Sequence, residues 1–516
     1  MSKLPRLRPL KPRSKDDTNS VVFAVYAPFG SDEVLSTYPN KSRMPIEQQE
    51  MVLALKKVAD CGVHVSALID LFDDDSYFVE IPAGRSSEMC IASAWKQDMS
   101  SPYALAGFLR RTSARHPRSA LVLALEGHGA GFLPDIDPSK ITAASVTGDG
   151  DYEWRRSVAG TAVVPVGGAP GLPFPSAELP FPSPELPGVR MPMSTWGLGF
   201  ALQRALADGV ARPAVIHFNN CHNMSLELLH TVAPHADFAT AYCNSNFFTA
   251  GDSYPLVFEH LRRQGSASRQ ELAEWFADEN HAALSSKGNH PTIGCVVALE
   301  RMPEIVERLN ALSLALVSAL NASANRPQLV ADLQALIARA QQYDTEPTPK
   351  LEVPDQLTDI GSLAANLAAA PLQLPAVQGA ASNLLTALSG IKRYGDNDVP
   401  WVDPTTRWNF SEKSLAMNIL LPDPERTGQW DWRSPYYMDG RPNPPGTAAQ
   451  RFVIEFLRNA GPQRPPWVQF LVEYHRDVPF KGLLPARAPV FPVFNRDFKP
   501  PHPCEEWPDG NPRQSD

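Results

Sequence analysis

An α/β fold is predicted for this 516-residue chain, followed by a helical part and a small β-containing C-terminal part. Three observations predict it. Short β-branched or apolar runs alternate with segments whose apolar residues recur at helical spacing, the pattern of parallel strands joined by crossover helices. Two of the runs, ALVLALEG and AVIHFNN, read as buried strands. From residue 326 the alternation gives way to Ala/Leu-rich helical sequence.

The elements follow in order. Residues 20–27, SVVFAVYA, form the first strand. Residues 46–60 carry apolar positions at helical spacing and stop at Cys61-Gly62. VHVSALID (63–70) and YFVEI (77–81) are strands, separated by an acidic turn at Asp73, Asp74 and Asp75. SPYALAGFLRRTSARHP (101–117) is a helix capped by Ser100 or Ser101, and ALVLALEG (120–127) is the next strand. Periodicity is lost between 133 and 192, where nine prolines after residue 164 and two imperfect copies, LPFPSAE and LPFPSPE, predict an extended surface insertion. Order returns with a helix over 194–209, a strand over 214–220, a helix over 223–235 and a strand over 237–244. Helices at 267–284 and 302–321 flank the strand TIGCVVAL (292–299). In the tail, SLAMNILLP (414–422) reads as a strand and AAQRFVIEFLRNA (448–460) as a helix.

This divides the chain into a basic disordered tail (1–19), an α/β domain (20–325) with a Pro-rich insertion at about 133–192, a helical region (326–399) and a C-terminal accessory region (400–516). Composition narrows the function classes. Hydrophobic residues make up 43% and charged residues 20%, which is globular and not disordered. The net charge of −9 argues against a nucleic-acid surface, which is normally basic. No apolar stretch has the length of a membrane span, and the N-terminus lacks the apolar core of a secretory signal. Six cysteines, at 61, 90, 221, 243, 295 and 504, show no CxxC pair. That pattern favours free thiols in a reducing compartment, hence a cytoplasmic protein.

Two stretches carry the chemistry. In ALVLALEGHGAGF (120–132) His128 follows a buried strand and sits among Gly127, Gly129 and Gly131, which permit sharp turns and close approach. In AVIHFNNCHNMSLELL (214–229) Cys221 lies between a buried strand and a helix, where an amino-terminal dipole favours a thiolate. Ligands of parallel sheets bind at the carboxyl ends of the strands, so neighbouring strands would bring His128 and Cys221 to one crevice. A Cys nucleophile with a His partner suits acyl transfer, with the amides of Gly129 and Cys221 as oxyanion donors. His222 adjoins the cysteine, but adjacent residues usually point apart, which favours His128 as the base.

With those stretches quoted, the chain resembles the clostripain-type (C11) cysteine peptidases of the caspase/hemoglobinase-like fold. The resemblance runs in order through VVFAVYAPFGSDEVL (21–35), residues 104–132, residues 215–256, and then SLAMNILLP and PWVQFLVEYH (466–475). It implies an endopeptidase with Cys221 as nucleophile and His128 as its partner, a protein or peptide substrate, and an activating partner in some settings. The family usually has Asp-Ala-Cys at the nucleophile, where this chain has Asn219-Asn220-Cys221. That Asp lines a pocket for a basic P1 side chain, so Asn219 removes one charge there, and Asp252 is the best candidate to restore an Arg/Lys preference. Self-cleavage would fall in the Pro-rich insertion, near Arg155, Arg156 or Arg190. Some relatives depend on calcium, which places candidate calcium ligands at Asp73–Asp75 or around Asp32 and Glu33, although the EF-hand spacing is absent. No other cofactor or metal is implied. Two alternatives stay open: a catalytically inactive caspase-like scaffold or binding protein, and a zinc site of Cys221, His128, His217 and His222. The zinc reading is weak because His217 and His222 are five apart across a strand and turn.

Overall fold

The computed structural model describes residues 20–28, 45–70, 76–95, 97, 99–127, 129, 131–135, 193–244, 246, 251–288, 292–343, 357–395, 400–402, 407–421, 437, 453–458, 460 and 463–476. His128, Asp32, Glu33, Asp73–Asp75, Arg155, Arg156, Arg190, the tail 1–19 and nearly all of the Pro-rich insertion lie outside these residues.

The core is a nine-stranded sheet. Its strands are β1 (Val21–Pro28), β2 (His64–Asp70), β3 (Ser76–Ile81), β4 (Cys90–Trp95), β5 (Ala120–Leu125), β6 (Val215–Phe218), β7 (Phe238–Tyr242), β8 (Ile293–Ala298) and β10 (Lys392–Gly395). The order is β10-β8-β7-β6-β5-β1-β2-β3-β4. The pairings β2-β1, β1-β5, β5-β6 and β6-β7 are parallel, and the outer pairings β2-β3, β3-β4, β7-β8 and β8-β10 are antiparallel. The α/β architecture expected from the sequence is therefore the one observed. The strands β9 (Leu357–Asp359) and β13 (Asn418–Leu420) pair apart from this sheet, as do β11 (Pro400–Val402) and β12 (Arg407–Asn409).

β1 shows why its run is apolar throughout. Val22, Ala24 and Tyr26 face one core and Val21, Phe23, Val25 and Ala27 the other, so neither face meets water. On the second face lie α1 (Glu50–Asp60), α5 (Tyr254–Gln264) and α6 (Arg269–Gly288). Phe23 there meets Tyr254, Phe258 and Phe276 at ring-centroid separations of 4.9, 4.9 and 5.8 Å. Truncating such a residue to Ala costs about 3–5 kcal/mol. This aromatic cluster fixes the start of α5, and with it Tyr254, beneath the carboxyl ends of β5 and β6.

The first face carries α2 (Pro102–Arg115), α3 (Thr195–Ala207), α4 (Leu226–Val232), α7 (Met302–Ala322), α8 (Arg326–Arg339), α9 (Ile360–Ala369), α10 (Pro375–Leu388) and α11 (Pro466–Tyr474). The Ser101, Ser194 and Ser225 hydroxyls accept from Tyr103 N, Gly197 N and Leu228 N, which supplies partners to helix-terminal amides that would otherwise have none. The helical region and the described C-terminal residues share one apolar core with the sheet, from Val22 to Tyr474. Among the described helices, Leu299–Ala322 is long and apolar enough to cross a membrane by length and composition. Its stripe Ile305, Leu309, Leu312, Leu316 and Leu320 is buried in this core.

Four local expectations are corrected. Where a helix was expected over 448–460, residues 453–458 hold only a 3-10 turn, Glu455–Leu457, which exposed Glu455 and Arg458 bracket. The helix expected from 223 starts at Leu226, because Ser225 caps it. The expected elements also leave out α5, Tyr254–Gln264, which carries Pro255 at its second position, where Pro is tolerated in a first turn. Finally, Cys90 is disulfide-bonded, with its partner outside the described residues, while Cys61, Cys221, Cys243 and Cys295 are free.

Candidate active site

β5 and β6 are parallel neighbours, with Leu125 in register with Phe218. Their carboxyl ends thus bring together Glu126-Gly127 from one strand and Asn219-Asn220-Cys221 from the next. His128 itself lies outside the described residues, but its neighbours do not. A Cβ built on Gly129 would stand 1.9 Å from the Cys221 carbonyl oxygen, so the chain beside His128 presses directly on the Cys221 main chain. The Gly131 N–H donates to Asn223 Oδ1 at 3.1 Å and ties the same loop to the far side of the cysteine turn.

Cys221 is half-buried. Its sulfur accepts the Asn246 N–H at 3.3 Å, and its S–H reaches the Asn246 carbonyl at 3.5 Å. Burial pushes the thiol up to about 11, opposed by the N–H of Asn246 and its own N–H. The amino-terminal helix dipole invoked for Cys221 does not act on it locally, because α4 begins five residues later behind its Ser225 cap.

The turn after the cysteine is held by the C-terminal segment. His222 takes a left-handed backbone, φ 58°, unusual for a non-glycine residue. Its N–H donates to the Asn244 carbonyl at 3.0 Å. The Asn418 side-chain amide donates to the carbonyls of His222 and Cys243 at 2.9 and 3.0 Å. The His222 ring lies 3.3 Å from the Cys243 carbonyl through Nδ1, turned to a different partner from the Cys221 sulfur. His217 is fully buried, stacked on Phe276 and bonded to Thr240 at 2.6 Å, and burial pushes its imidazole down to about 3. His217 and His222 therefore do not converge, and among the described residues no three His, Cys, Asp or Glu do.

Asn219 lies at 5% exposure in a buried network. Its Nδ2 donates to both carboxylate oxygens of Glu126, at 3.1 and 3.0 Å, and is 3.3 Å from the Tyr254 hydroxyl. Tyr254 donates to Glu126 as well. Asn219 Oδ1 accepts from Asn246 Nδ2 at 2.9 Å, and Asn246 Oδ1 accepts from Asn280 at 3.1 Å. Loss of water pushes Glu126 up to about 7, against the pull of its Tyr254 and Asn219 donors. Asp252 is half-buried in the turn Gly251–Ser253 just before α5. The carboxylate beside Asn219 is thus Glu126, which sequence reasoning passed over; its one signal was an acid ending an otherwise apolar strand.

No protein-family model and no curated sequence matches the chain. Among solved structures the chain is similar to a secreted C11 cysteine protease from Bacteroides thetaiotaomicron, "iotapain", at 11% identity and TM-score 0.46, over 81% of this chain and 96% of that one. A secreted C11 cysteine protease from the same organism, in complex with an irreversible peptide inhibitor, gives 12% identity and TM-score 0.48, covering 78% and 92%. An inactive zymogen C11 protease from Parabacteroides distasonis gives 12% and 0.46, covering 83% and 99%.

Proposed function

We propose that this chain is a cysteine endopeptidase in which Cys221 is the nucleophile and His128 its acid–base partner. The observation that supports it most is the contact of Gly129, the residue after His128, with the Cys221 main chain at the carboxyl ends of two parallel strands. A thiol held near 11 is protonated at neutral pH, so attack needs a base close at hand. In this reading His128 takes the thiol proton and the thiolate adds to the scissile carbonyl. The amides of Gly129 and Cys221 receive the oxyanion, and the imidazolium gives its proton to the leaving amine. Water then hydrolyses the thioester.

The proposed substrate is a protein or peptide cut after Arg or Lys. Asn219 brings no charge to such a pocket, and Asp252 at the mouth of α5 is the carboxylate assigned to it. The test is turnover of a peptide library by the wild type, Cys221→Ala, His128→Ala and Asp252→Ala. Loss of cleavage in the first two variants, and loss of Arg/Lys selectivity in the third, is expected. Cleavage surviving in Cys221→Ala, or selectivity surviving in Asp252→Ala, overturns the corresponding part.

A further inference from the structure

We infer that Glu126 is a positioning residue that acts on the Cys221 sulfur through Asn219 and Asn246, and that the amide at position 219 is required because a carboxylate stands at 126. The inference rests on the reading of Cys221 as the reactive thiol.

The hydrogen bonds run in one direction. Both Glu126 oxygens accept from Asn219, which turns its Nδ2 toward the carboxyl. That choice leaves Asn219 Oδ1 facing Asn246, whose Nδ2 fills it. Asn246 Oδ1 is in turn filled by Asn280, which also donates to Tyr242 at 2.7 Å. Both ends of the Asn246 side chain are therefore fixed from the buried side. Its main chain then presents N–H to the Cys221 sulfur, the one interaction from a neighbouring residue that favours the thiolate. Freeing Asn246 loosens that donor. Glu126, Asn219, Asn246 and Asn280 are each 5% exposed or less, so water does not substitute for a lost partner.

The same geometry explains Asn219. An aspartate at that position would set two buried carboxylates against each other with only the Tyr254 hydroxyl as a donor beside both, so one of them must hold a proton. Exchanging the two types, Glu126→Gln together with Asn219→Asp, again sets a donor against an acceptor between positions 126 and 219, with one bond in place of the two that Asn219 makes to Glu126. The introduced glutamine would donate its Nε2 to one oxygen of the introduced aspartate and accept the Tyr254 hydroxyl at its Oε1. The other oxygen of that aspartate would accept from Asn246.

The experiment measures the alkylation rate of Cys221 by iodoacetamide at one fixed pH, located by peptide mass spectrometry, beside the melting temperature of each variant. This readout needs no substrate, so it stands or falls separately from peptidase activity. Glu126→Gln should slow alkylation about tenfold, the loss of roughly one hydrogen bond to the thiolate. Asn219→Asp should slow it more or unfold the chain. The double variant Glu126→Gln/Asn219→Asp should return to within about threefold of wild type. Recovery of the rate in the double variant is what a merely stabilising pair would not give. Wild-type or faster alkylation in folded Glu126→Gln, or a double variant no better than Asn219→Asp, overturns the inference.

Discussion

Gly129 sits so close to Cys221 that an added Cβ would lie 1.9 Å from the carbonyl oxygen and 2.9 Å from the nitrogen of that residue. Among the glycines of this loop, Gly127 and Gly131 take positive φ values of 92° and 64°, where a side chain is strained. Gly129 is different: its need for glycine is a need for space. Gly129→Ala must push the loop beside His128 off the cysteine turn. A displacement of about 1 Å at a reacting centre costs about a hundredfold. kcat/KM should fall by at least that factor with little change in melting temperature, as peptide cleavage and thermal melts would show.

Asn418 and Cys221 are far apart in sequence, yet the Asn418 amide holds the carbonyls of His222 and Cys243. Asn418→Leu leaves both carbonyls buried without this donor, at about 1–3 kcal/mol each. The expected result in denaturant titration is a loss of about 2 kcal/mol or more, with kcat reduced about tenfold.

His222→Gly separates the two histidines. Glycine accepts the left-handed φ of 58° without strain, and the ring removed faces the Cys243 carbonyl. Activity within about threefold of wild type is expected, against near-complete loss in His128→Ala. Equal losses in the two variants would make His222 a catalytic residue after all.

Glu126 predicts a pH dependence of stability. Its carboxyl is raised to about 7 by burial, so the folded chain holds this proton more tightly than the unfolded chain. The stabilisation is fully present below about pH 4 and is lost as pH rises through 7. His217 runs the other way, because it is buried neutral and acid costs stability below about pH 6.5. Comparing wild type with Glu126→Gln cancels His217. The difference in unfolding free energy should move toward wild type by up to roughly 3 kcal/mol between pH 8 and pH 5. A flat difference across that range would mean that Glu126 is not desolvated.

The central strands were legible because each is an apolar run buried on both faces, a signal local to the run. Cys221 was legible for the same reason: it directly follows such a run. Glu126 was visible only as an acid at a strand end, and its role needs Asn219, Asn246 and Tyr254, which come from three other segments. Asn418 gave no signal at all, since its partner carbonyls belong to residues about two hundred positions earlier. Periodicity also misled over 453–458, where Ile454, Phe456 and Leu457 are buried about a 3-10 turn, Glu455–Leu457, and not on a helix.

Central to the proposed chemistry is Cys221 as a nucleophile served by His128. The most direct measurement is intact-mass and peptide mapping after treatment with a peptidyl chloromethyl ketone ending in Arg. A single adduct on Cys221 is expected in the wild type, no adduct in Cys221→Ala, and strongly slowed labelling in His128→Ala. An adduct formed equally well in Cys221→Ala, or labelling of Cys221 indifferent to His128, would contradict it.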